Sequence, residues 1–240
     1  MLRHDLVVVM PVYNEQDAVN SVIALWDNAL GSLGIDYRLR VYNDGSKDDS
    51  APRLDALAGK FPRLEVYHKT NSGHGPTILA GYRMAGDCRW IFQVDSDDEM
   101  GPENFAQLWA RRNRFDILLG RREGRTSPLA RRIVTFVSRR IVRLFFGRGI
   151  HDVNTPYRLM RTDKFRALFS VIPDNTFAPN IAVSGYACLA GLRICELSVP
   201  HQPRSTGVVS IKKWRLLKAA VKSLWQTVFF RFSGISRGLA

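Results

Sequence analysis

The sequence contains few cysteines and no long apolar run. Its 240 residues include Cys88, Cys188 and Cys195, which are too few and too scattered for a disulfide framework, and no CxxC pair indicates a metal knuckle. A reducing compartment is the simpler interpretation. No stretch approaches the roughly 18 apolar residues that a membrane-spanning helix needs. The apolar run at residues 6–10 is too short for the core of a signal peptide, and we interpret it as a strand.

Internal repeats and low-complexity linkers are also lacking, while charge of both signs is abundant and unevenly placed. Residues 1–110 carry 10 Lys or Arg against 16 Asp or Glu, whereas residues 111–148 carry 12 Arg against two acids. Residues 201–240 carry eight cations and no acid, and the whole chain has a net charge of +13. The two basic segments are expected to face phosphate, anionic lipid or nucleic acid, or else to form a solvated charged surface.

Short apolar runs alternate with helix-like stretches over the first 120 residues. The predicted strands cover residues 6–13, 37–43, 63–68, 90–95 and 116–120, and the predicted helices cover residues 15–33, 48–61, 76–86 and 102–114. This order predicts an α/β fold with a mostly parallel, twisted sheet flanked by helices. Because ligands bind outside the carboxyl ends of strands in such sheets, the motifs that follow the strands are the functional candidates.

Two later segments repeat apolar residues at three- and four-residue steps among Arg and Lys, one at about residues 128–147 and one at about residues 211–232 of the C-terminal segment 211–240. This spacing is typical of basic amphipathic helices. Such a helix lies flat in a lipid interface or packs on the core with a solvated basic face, and two of them in one chain favour the membrane. We therefore predict a domain over residues 1–210 that includes the first of these helices, followed by a C-terminal amphipathic helix and tail.

The most informative motif is the acidic run VDSDDE at residues 94–99, which follows an apolar strand. Carboxylates at alternate positions suit a hard divalent cation, and such a cation neutralises the charge on a diphosphate leaving group. One carboxylate can fix a ribose or a metal-bound water while the next binds the ion. The alternative interpretation is an acidic turn that caps the helix starting at Pro102.

Three further motifs follow the first three predicted strands. In PVYNE (residues 11–15), Pro11 is expected to end the first strand, and backbone N–H groups at the turn suit a nucleotide. In NDGS (residues 43–46), Asp44 can accept hydrogen bonds from a base or ribose, and Gly45 permits a tight turn. The NSGHG loop at residues 71–75 either borders the same pocket or simply connects two elements.

The order PVYNE, NDGS, NSGHG and DSD resembles that of the family 2 glycosyltransferases, and more narrowly that of the dolichyl- or polyprenyl-phosphate sugar transferases. The resemblance covers about residues 6–215. It implies a GT-A fold, a UDP- or GDP-sugar donor, Mg²⁺ or Mn²⁺, and inversion at the anomeric carbon. By this resemblance, the nucleotide is bound by Pro11, Tyr13, Glu15, Asp44 and Asp95, and the metal by Asp95, Asp97 and Glu99. Relatives often carry Gln at the last of these positions.

The second half of the chain resembles the same branch. GRR at residues 120–122 follows a strand, as the family's diphosphate-binding arginine does, which implies Arg121. RRIVT at residues 131–135 resembles the family's interfacial-helix motif, and residues 204–212 resemble its RxxGxSK element with one extra residue before Ser210. By this resemblance, an acceptor-phosphate site is formed by Arg131, Thr135, Arg204, Ser210 and Lys212. The expected catalytic residues are Asp97, Arg121, Arg131 and Arg204. Residues 152–158 resemble a segment that usually ends in GFR, with Pro156-Tyr157 in place of Gly-Phe.

These features predict an inverting transferase that moves a sugar onto a dolichyl or undecaprenyl phosphate at the cytoplasmic face of a membrane. The chain is expected to be peripheral, to contact anionic lipid and not nucleic acid, and a membrane-protein partner is left open. A phosphate monoester needs no general base, because its second pKa of about 6 leaves it largely a dianion at neutral pH.

Two alternatives are open. A hydroxyl acceptor on a glycan or lipid would require a carboxylate base, for which Asp152 and Asp174 are the candidates, although Asp174 is also interpretable as a helix cap before Ala178. The QxxRW element of processive polysaccharide synthases is lacking. A non-catalytic basic module that binds membrane or nucleic acid would explain the charge but not the four ordered motifs.

Overall fold

The computed structural model describes residues 3–123, 140 and 150–200, and these form a seven-stranded sheet in the order β3-β2-β1-β4-β6-β5-β7. The strands are β1 His4–Val12, β2 Tyr37–Asn43, β3 Leu64–His68, β4 Cys88–Gln93, β5 Ile117–Glu123, β6 Arg158–Arg161 and β7 Ile194–Pro200. Strands β1 to β4 are parallel to one another, β6 is antiparallel to both β4 and β5, and β7 is parallel to β5. The prediction of a mostly parallel sheet is confirmed.

Helices cover both faces of this sheet. They are α1 Val19–Ser32, α2 Ser50–Ala58, α3 His74–Met84, α4 Phe105–Arg111, α5 Thr162–Val171 and α6 Pro179–Leu189, and the 3₁₀ turns Pro102–Asn104 and Arg112–Arg114 flank α4. Successive residues of a strand point to opposite faces. Accordingly Val8 packs into a core layer under α1, α2 and α4, whereas Val7 and Val9 pack into a second layer under α3, α5 and α6.

The prediction that Pro11 ends the first strand is wrong, because β1 continues to Val12. A proline is tolerated in a central strand only where its missing N–H has no ladder partner. That condition is met here, since the register between β1 and β4 stops at the pair Val9 and Gln93. The carbonyl of Pro11 faces the same side, where it accepts a hydrogen bond from the Ser96 hydroxyl at 2.9 Å.

The helix predicted to begin at residue 15 begins instead at Val19. Asn14 has a φ of 55°, in the left-handed region that a helix cannot include. The backbone N–H of Gln16 donates to Asp48 Oδ2 at 3.2 Å. Residues 13–18 therefore form a turn that is tied to the loop after β2.

The predicted basic helices at about residues 128–147 and 211–232, and the tail to residue 240, lie outside the described residues, apart from Arg140. The same holds for the predicted acceptor-phosphate residues Arg131, Thr135, Arg204, Ser210 and Lys212. Among the helices that are described, none has both the length and the apolar content needed to span a bilayer.

Candidate active site

The turns that follow β1 and β2 are joined side by side at the carboxyl edge of the sheet. Asn14 donates its backbone N–H to Ser46 Oγ at 3.0 Å and accepts the Lys47 N–H on its Oδ1 at 2.8 Å. The Glu15 N–H donates to Ser50 Oγ at 2.9 Å. Glu15 is buried and Tyr13 is half-buried at this edge, so both predicted nucleotide-binding residues stand on a fixed turn.

Asp44 anchors the loop that follows β3. Its Oδ1 accepts the Ser72 N–H at 2.9 Å and pairs with the Lys69 ammonium, and its Oδ2 accepts the Gly73 N–H at 2.8 Å. Burial alone would raise the pKa of Asp44, but these bonds hold it below its ordinary value. The structure therefore gives Asp44 a role in positioning residues 69–73. Its contact with a nucleoside stays a prediction.

Two glycines allow this loop to lie close to its neighbours. Gly45 has a φ of 66°, and a Cβ there would lie 2.8 Å from the backbone nitrogen of Asn71. A Cβ on Gly75 would lie 2.1 Å from the carbonyl oxygen of Phe177. Neither position accepts a side chain without moving backbone. The NSGHG loop is thus enclosed between the turn after β2 and the segment that leads into α6.

The acidic run leaves β4 next to this loop, and Ser96 ties it to β1. The Asp97 side chain accepts the Glu99 N–H at 3.2 Å, and Asp98 has a φ of 57°. Burial, with the nearby charge of Glu103, raises the pKa of Asp98. The 3₁₀ turn at Pro102 has no side-chain cap. The interpretation of the acidic run as a helix cap is therefore not supported.

Asp95 is held from two sides. Its Oδ1 accepts a long hydrogen bond of 3.4 Å from Gln93 Nε2 and lies 3.5 Å from His74 Nε2. His74 is the first residue of α3, and more than half of its side chain is exposed. It therefore presents one ring edge to Asp95 and leaves part of the ring exposed to solvent.

Arg122 faces the acidic run from β5. Its guanidinium donates to both carboxylate oxygens of Asp152, at 2.6 and 2.8 Å. Burial alone would lower the pKa of Arg122, but the bonds and charge of Asp152, followed by the charges of Asp95 and Glu99, raise it. These last two contributions mean that the acidic run and Arg122 share one electrostatic environment.

The expected diphosphate ligand, Arg121, points elsewhere. Neighbouring residues of a strand project to opposite sides, and the Arg121 guanidinium donates to Glu123 at 3.1 Å and to Ser198 at 2.8 Å on the exposed surface. The assignment of the diphosphate ligand to Arg121 stays a prediction, and the charges of Asp95 and Glu99 that act on Arg122 favour the neighbouring residue for that role. Sequence alone did not indicate two of these contacts, that of Asp152 with Arg122 and that of His74 with Asp95.

Asp174, the candidate base, lies away from this site. Its side chain is 89% exposed and pairs with Arg83. Arg83 is nine residues along α3 from His74, which corresponds to about 13–14 Å. The start of α6 has no side-chain cap, so the interpretation of Asp174 as a cap is wrong, whereas its role as a base stays a prediction. Asp152, the other candidate, is committed to Arg122.

The carboxylates at the end of β4 fit a divalent cation only together with a bound substrate that supplies further oxygen atoms. Across the described ranges, no three His, Cys, Asp or Glu side chains converge on a point that a metal could occupy. Mg²⁺ characteristically takes one or two carboxylates and completes its shell with substrate phosphates and water. Oxygen donors at Asp95, Asp97 and Glu99 match that chemistry, and their individual roles as ligands stay predictions.

Residues 7–169 match the family model described as glycosyl transferase family 2. The chain belongs to this family. The match spans β1 to α5 and includes all of the site residues described above, and the predicted family is thereby confirmed.

Curated relatives come from the polyprenyl-phosphate branch. The chain is 28% identical over 214 residues to an undecaprenyl-phosphate 4-deoxy-4-formamido-L-arabinose transferase of Klebsiella pneumoniae subsp. pneumoniae, covering 88% of this chain. It is 30% identical over 218 residues to the Pseudomonas paraeruginosa protein of the same name, covering 89% of this chain. The chain spans 63% and 62% of the length of these relatives.

Solved structures of low sequence identity share the fold. A glucosyl-3-phosphoglycerate synthase from Mycobacterium tuberculosis, in complex with Mn²⁺, UDP-glucose and phosphoglyceric acid, matches with a TM-score of 0.68 at 14% identity. That match covers 95% of this chain and 80% of the synthase. S. aureus TarS 1-349 with UDP-GlcNAc matches with a TM-score of 0.57 at 18% identity, over 96% and 74% of the two chains. The fold is the GT-A fold, as predicted.

Proposed function

We propose that this chain transfers a sugar from a UDP- or GDP-sugar to a polyprenyl phosphate, with Mg²⁺ or Mn²⁺ at the donor diphosphate. The observation that carries the proposal is that acidic and basic groups lie at the same edge of the sheet. The carboxylates of residues 95–99 leave β4, and the charges of Asp95 and Glu99 act on Arg122 of β5. A site of this kind suits a leaving group that gains negative charge.

A divalent cation at Asp95, Asp97 and Glu99 would neutralise the departing diphosphate when bound. Arg122 is proposed to contribute a second positive charge, held in place by Asp152. Tyr13 and Glu15 border the neighbouring turn, where a nucleoside would lie. His74 lies 3.5 Å from Asp95 and is more than half exposed, so it is proposed to contact the donor. These assignments are consistent with ligand binding at the carboxyl ends of strands in α/β sheets.

A phosphate acceptor is favoured over a hydroxyl acceptor because both candidate bases are paired with arginines. Asp174 is exposed beside Arg83, and Asp152 is paired with Arg122. A hydroxyl acceptor needs a base within hydrogen-bond reach of its proton, whereas a phosphate dianion does not. The names of the relatives from Klebsiella and Pseudomonas also support a polyprenyl-phosphate acceptor.

The proposed polyprenyl acceptor also requires the chain to associate with a membrane. A polyprenyl chain stays in the bilayer, so the site must reach a membrane surface, and the basic segments of residues 111–148 and 201–240 provide the charge to bind anionic lipid. We propose a peripheral location on the cytoplasmic face, where nucleotide sugars are made. A membrane-protein partner is compatible with this arrangement.

The direct test incubates the purified chain with Mn²⁺, a short-chain polyprenyl phosphate and a panel of UDP- and GDP-sugars, and measures the release of nucleoside diphosphate. Release is expected with one donor class and only when the acceptor carries its phosphate. The free polyprenol is the matched acceptor control. No release with any donor, or equal release with the alcohol, would count against the proposal.

Two carboxylate replacements sharpen this test. Asp97→Asn is expected to lower turnover by about 100-fold or more, because it removes a carboxylate that would hold the cation neutralising the departing diphosphate. Asp163→Asn removes an exposed carboxylate that pairs with Arg161 and is the matched control, with activity unchanged. Asp174→Asn is expected to retain near-full activity. A large loss in that variant would favour the hydroxyl-acceptor alternative.

A further inference from the structure

A buried group of amide and hydroxyl side chains lies directly behind the acidic run. The Tyr82 hydroxyl of α3 lies 2.6 Å from Gln93 Oε1 and 2.8 Å from Asn180 Oδ1, and Asn180 Nδ2 donates to Gln93 Oε1 at 2.8 Å. All three side chains are buried, with exposures of 1%, 0% and 4% for Tyr82, Gln93 and Asn180. We call these three residues the amide cluster. It joins β4 to α3 and α6.

The amide cluster ends at Asp95. Gln93 uses its Oε1 for Tyr82 and Asn180, which leaves its Nε2 directed at Asp95 Oδ1 at 3.4 Å. The orientation of the Gln93 amide is therefore set by the other two members. Since an amide can present either its oxygen or its nitrogen, the bonds from Tyr82 and Asn180 decide that a donor faces the carboxylate.

A fully buried cation lies beside this cluster. The Arg158 guanidinium is 0% exposed and donates to the backbone carbonyls of Val153, Thr155 and Asn180 at 2.8–3.2 Å. Burial lowers the pKa of Arg158 and the charge of Arg122 lowers it further, while the carboxylates of Asp152 and Asp95 act to raise it. Arg158 is thus close enough to Asp95 for their charges to interact. It also fixes the backbone of Asn180.

Packing alone does not account for three polar side chains in this layer of the core. The cluster is surrounded by apolar residues such as Phe169 and Ile91, and an apolar core of the same shape is commonly as stable as a buried polar network. Carboxylates that bind metals are typically oriented by hydrogen-bonding partners behind them, and loss of such a partner costs 10–100-fold in metal affinity. The end of the cluster at Asp95 matches that arrangement.

We infer that Gln93, oriented by Tyr82 and Asn180, positions the Asp95 carboxylate for the donor–metal complex. This inference rests on the proposed function, because it presumes that Asp95 binds that complex. The three residues are positioning residues, since they act through Asp95 and do not themselves reach the cleft. The cluster would hold one carboxylate rotamer before the donor arrives.

The test replaces the whole cluster with apolar side chains of similar total volume, in the variant Tyr82→Phe, Gln93→Leu, Asn180→Ala. The bonds of Arg158 survive, because they go to backbone carbonyls. Mn²⁺ affinity is measured by electron paramagnetic resonance with saturating UDP, and with GDP in a second series. We expect affinity to fall about tenfold or more, with an unchanged or higher Tm in the absence of metal. Wild-type affinity in this variant would overturn the inference.

A single-atom comparison keeps the inference testable if the triple variant does not fold. Tyr82→Phe removes a hydroxyl that belongs to the cluster, whereas Tyr42→Phe removes a buried hydroxyl that has no hydrogen-bond partner within the described structure. We expect Tyr82→Phe to weaken Mn²⁺ binding about two- to fivefold, because only part of the net free energy of one hydrogen bond is passed on to the metal site. Tyr42→Phe should leave Mn²⁺ binding unchanged. Equal affinities in the two variants would overturn the inference. Failure of the wild type to bind Mn²⁺ with either nucleotide would instead refute the proposed function, and the inference with it.

Discussion

The ion pair between Arg122 and Asp152 allows stability and catalysis to be separated in one experiment. The two side chains are only 13% and 12% exposed, and they make a bidentate contact at 2.6 and 2.8 Å. Replacing one partner leaves the other charge buried and unpaired, which costs about 3–5 kcal/mol. For a chain of this length that cost lowers Tm by roughly 6–20 °C. Arg122→Met and Asp152→Leu should each show this loss.

The double variant Arg122→Met/Asp152→Leu should behave differently. Removing both charges eliminates the desolvation cost as well as the attraction, and such exchanges are often neutral or stabilising by about 1–4 kcal/mol. We therefore expect the free energy of unfolding of the double variant to lie near that of the wild type. The coupling energy from the four urea-unfolding curves should amount to several kcal/mol.

Activity should not recover with stability. If Arg122 faces the donor diphosphate, its loss removes a fixed positive charge that is worth about 100- to 1,000-fold in turnover. The double variant is then stable and inactive, as measured by nucleoside diphosphate release. Arg121→Met, on the exposed side of β5, is the control and should retain most of its activity. A stable double variant with wild-type turnover would refute the assignment of Arg122 and reduce the ion pair to a structural contact.

Two further predictions follow from single buried groups. The Tyr157 hydroxyl has no hydrogen-bond partner among the described residues, so Tyr157→Phe should raise the free energy of unfolding by about 1 kcal/mol, whereas Tyr82→Phe should lower it by a similar amount in urea titrations. The bonds to Asp44 hold its pKa below the unfolded value of about 3.9. Its stabilisation is therefore complete above that pH and lost as the pH falls through the lower folded pKa. The stability difference between wild type and Asp44→Asn should be constant down to about pH 4 and shrink below it, and a difference that stays constant to pH 2 would refute this.

The parallel half of the sheet can be predicted from the sequence, because each of its strands is a short apolar run followed by turn residues. The C-terminal half is not, and α6 shows why. All but one of its residues, from Pro179 to Cys188, are buried, so the helix has no polar face and lacks the periodicity on which helix prediction depends. The strand β6 has four residues, which is too short to give a strand pattern.

The departure from the family's GFR segment has a structural consequence that sequence alone does not reveal. Tyr157 stands where the resemblance of residues 152–158 to the GFR segment implies Phe, and its ring packs between Trp26 and Phe92 in the core layer under α1. The ring is accommodated, but its hydroxyl is buried without a partner in the described residues. The change therefore bears on stability at this position. The next residue, Arg158, is fully buried and donates to the backbone carbonyls of Val153, Thr155 and Asn180.

The difference between Arg121 and Arg122 shows where prediction of the site from sequence ends. The strand end that carries both arginines was predictable, because parallel topology brings the carboxyl ends of strands to one edge. Which of the two faces the acidic run depends on the strand's register and on Asp152, which is 30 residues away. The same holds for Asp95, which accepts a bond from Gln93, whose amide oxygen in turn accepts one from Asn180, 87 residues further along the chain. Topology thus determines which residues meet, while the direction of each side chain is determined by partners distant in sequence. An assignment made from sequence can therefore be displaced by one residue along a strand, and comparing the activities of Arg121→Met and Arg122→Met tests whether that is so here.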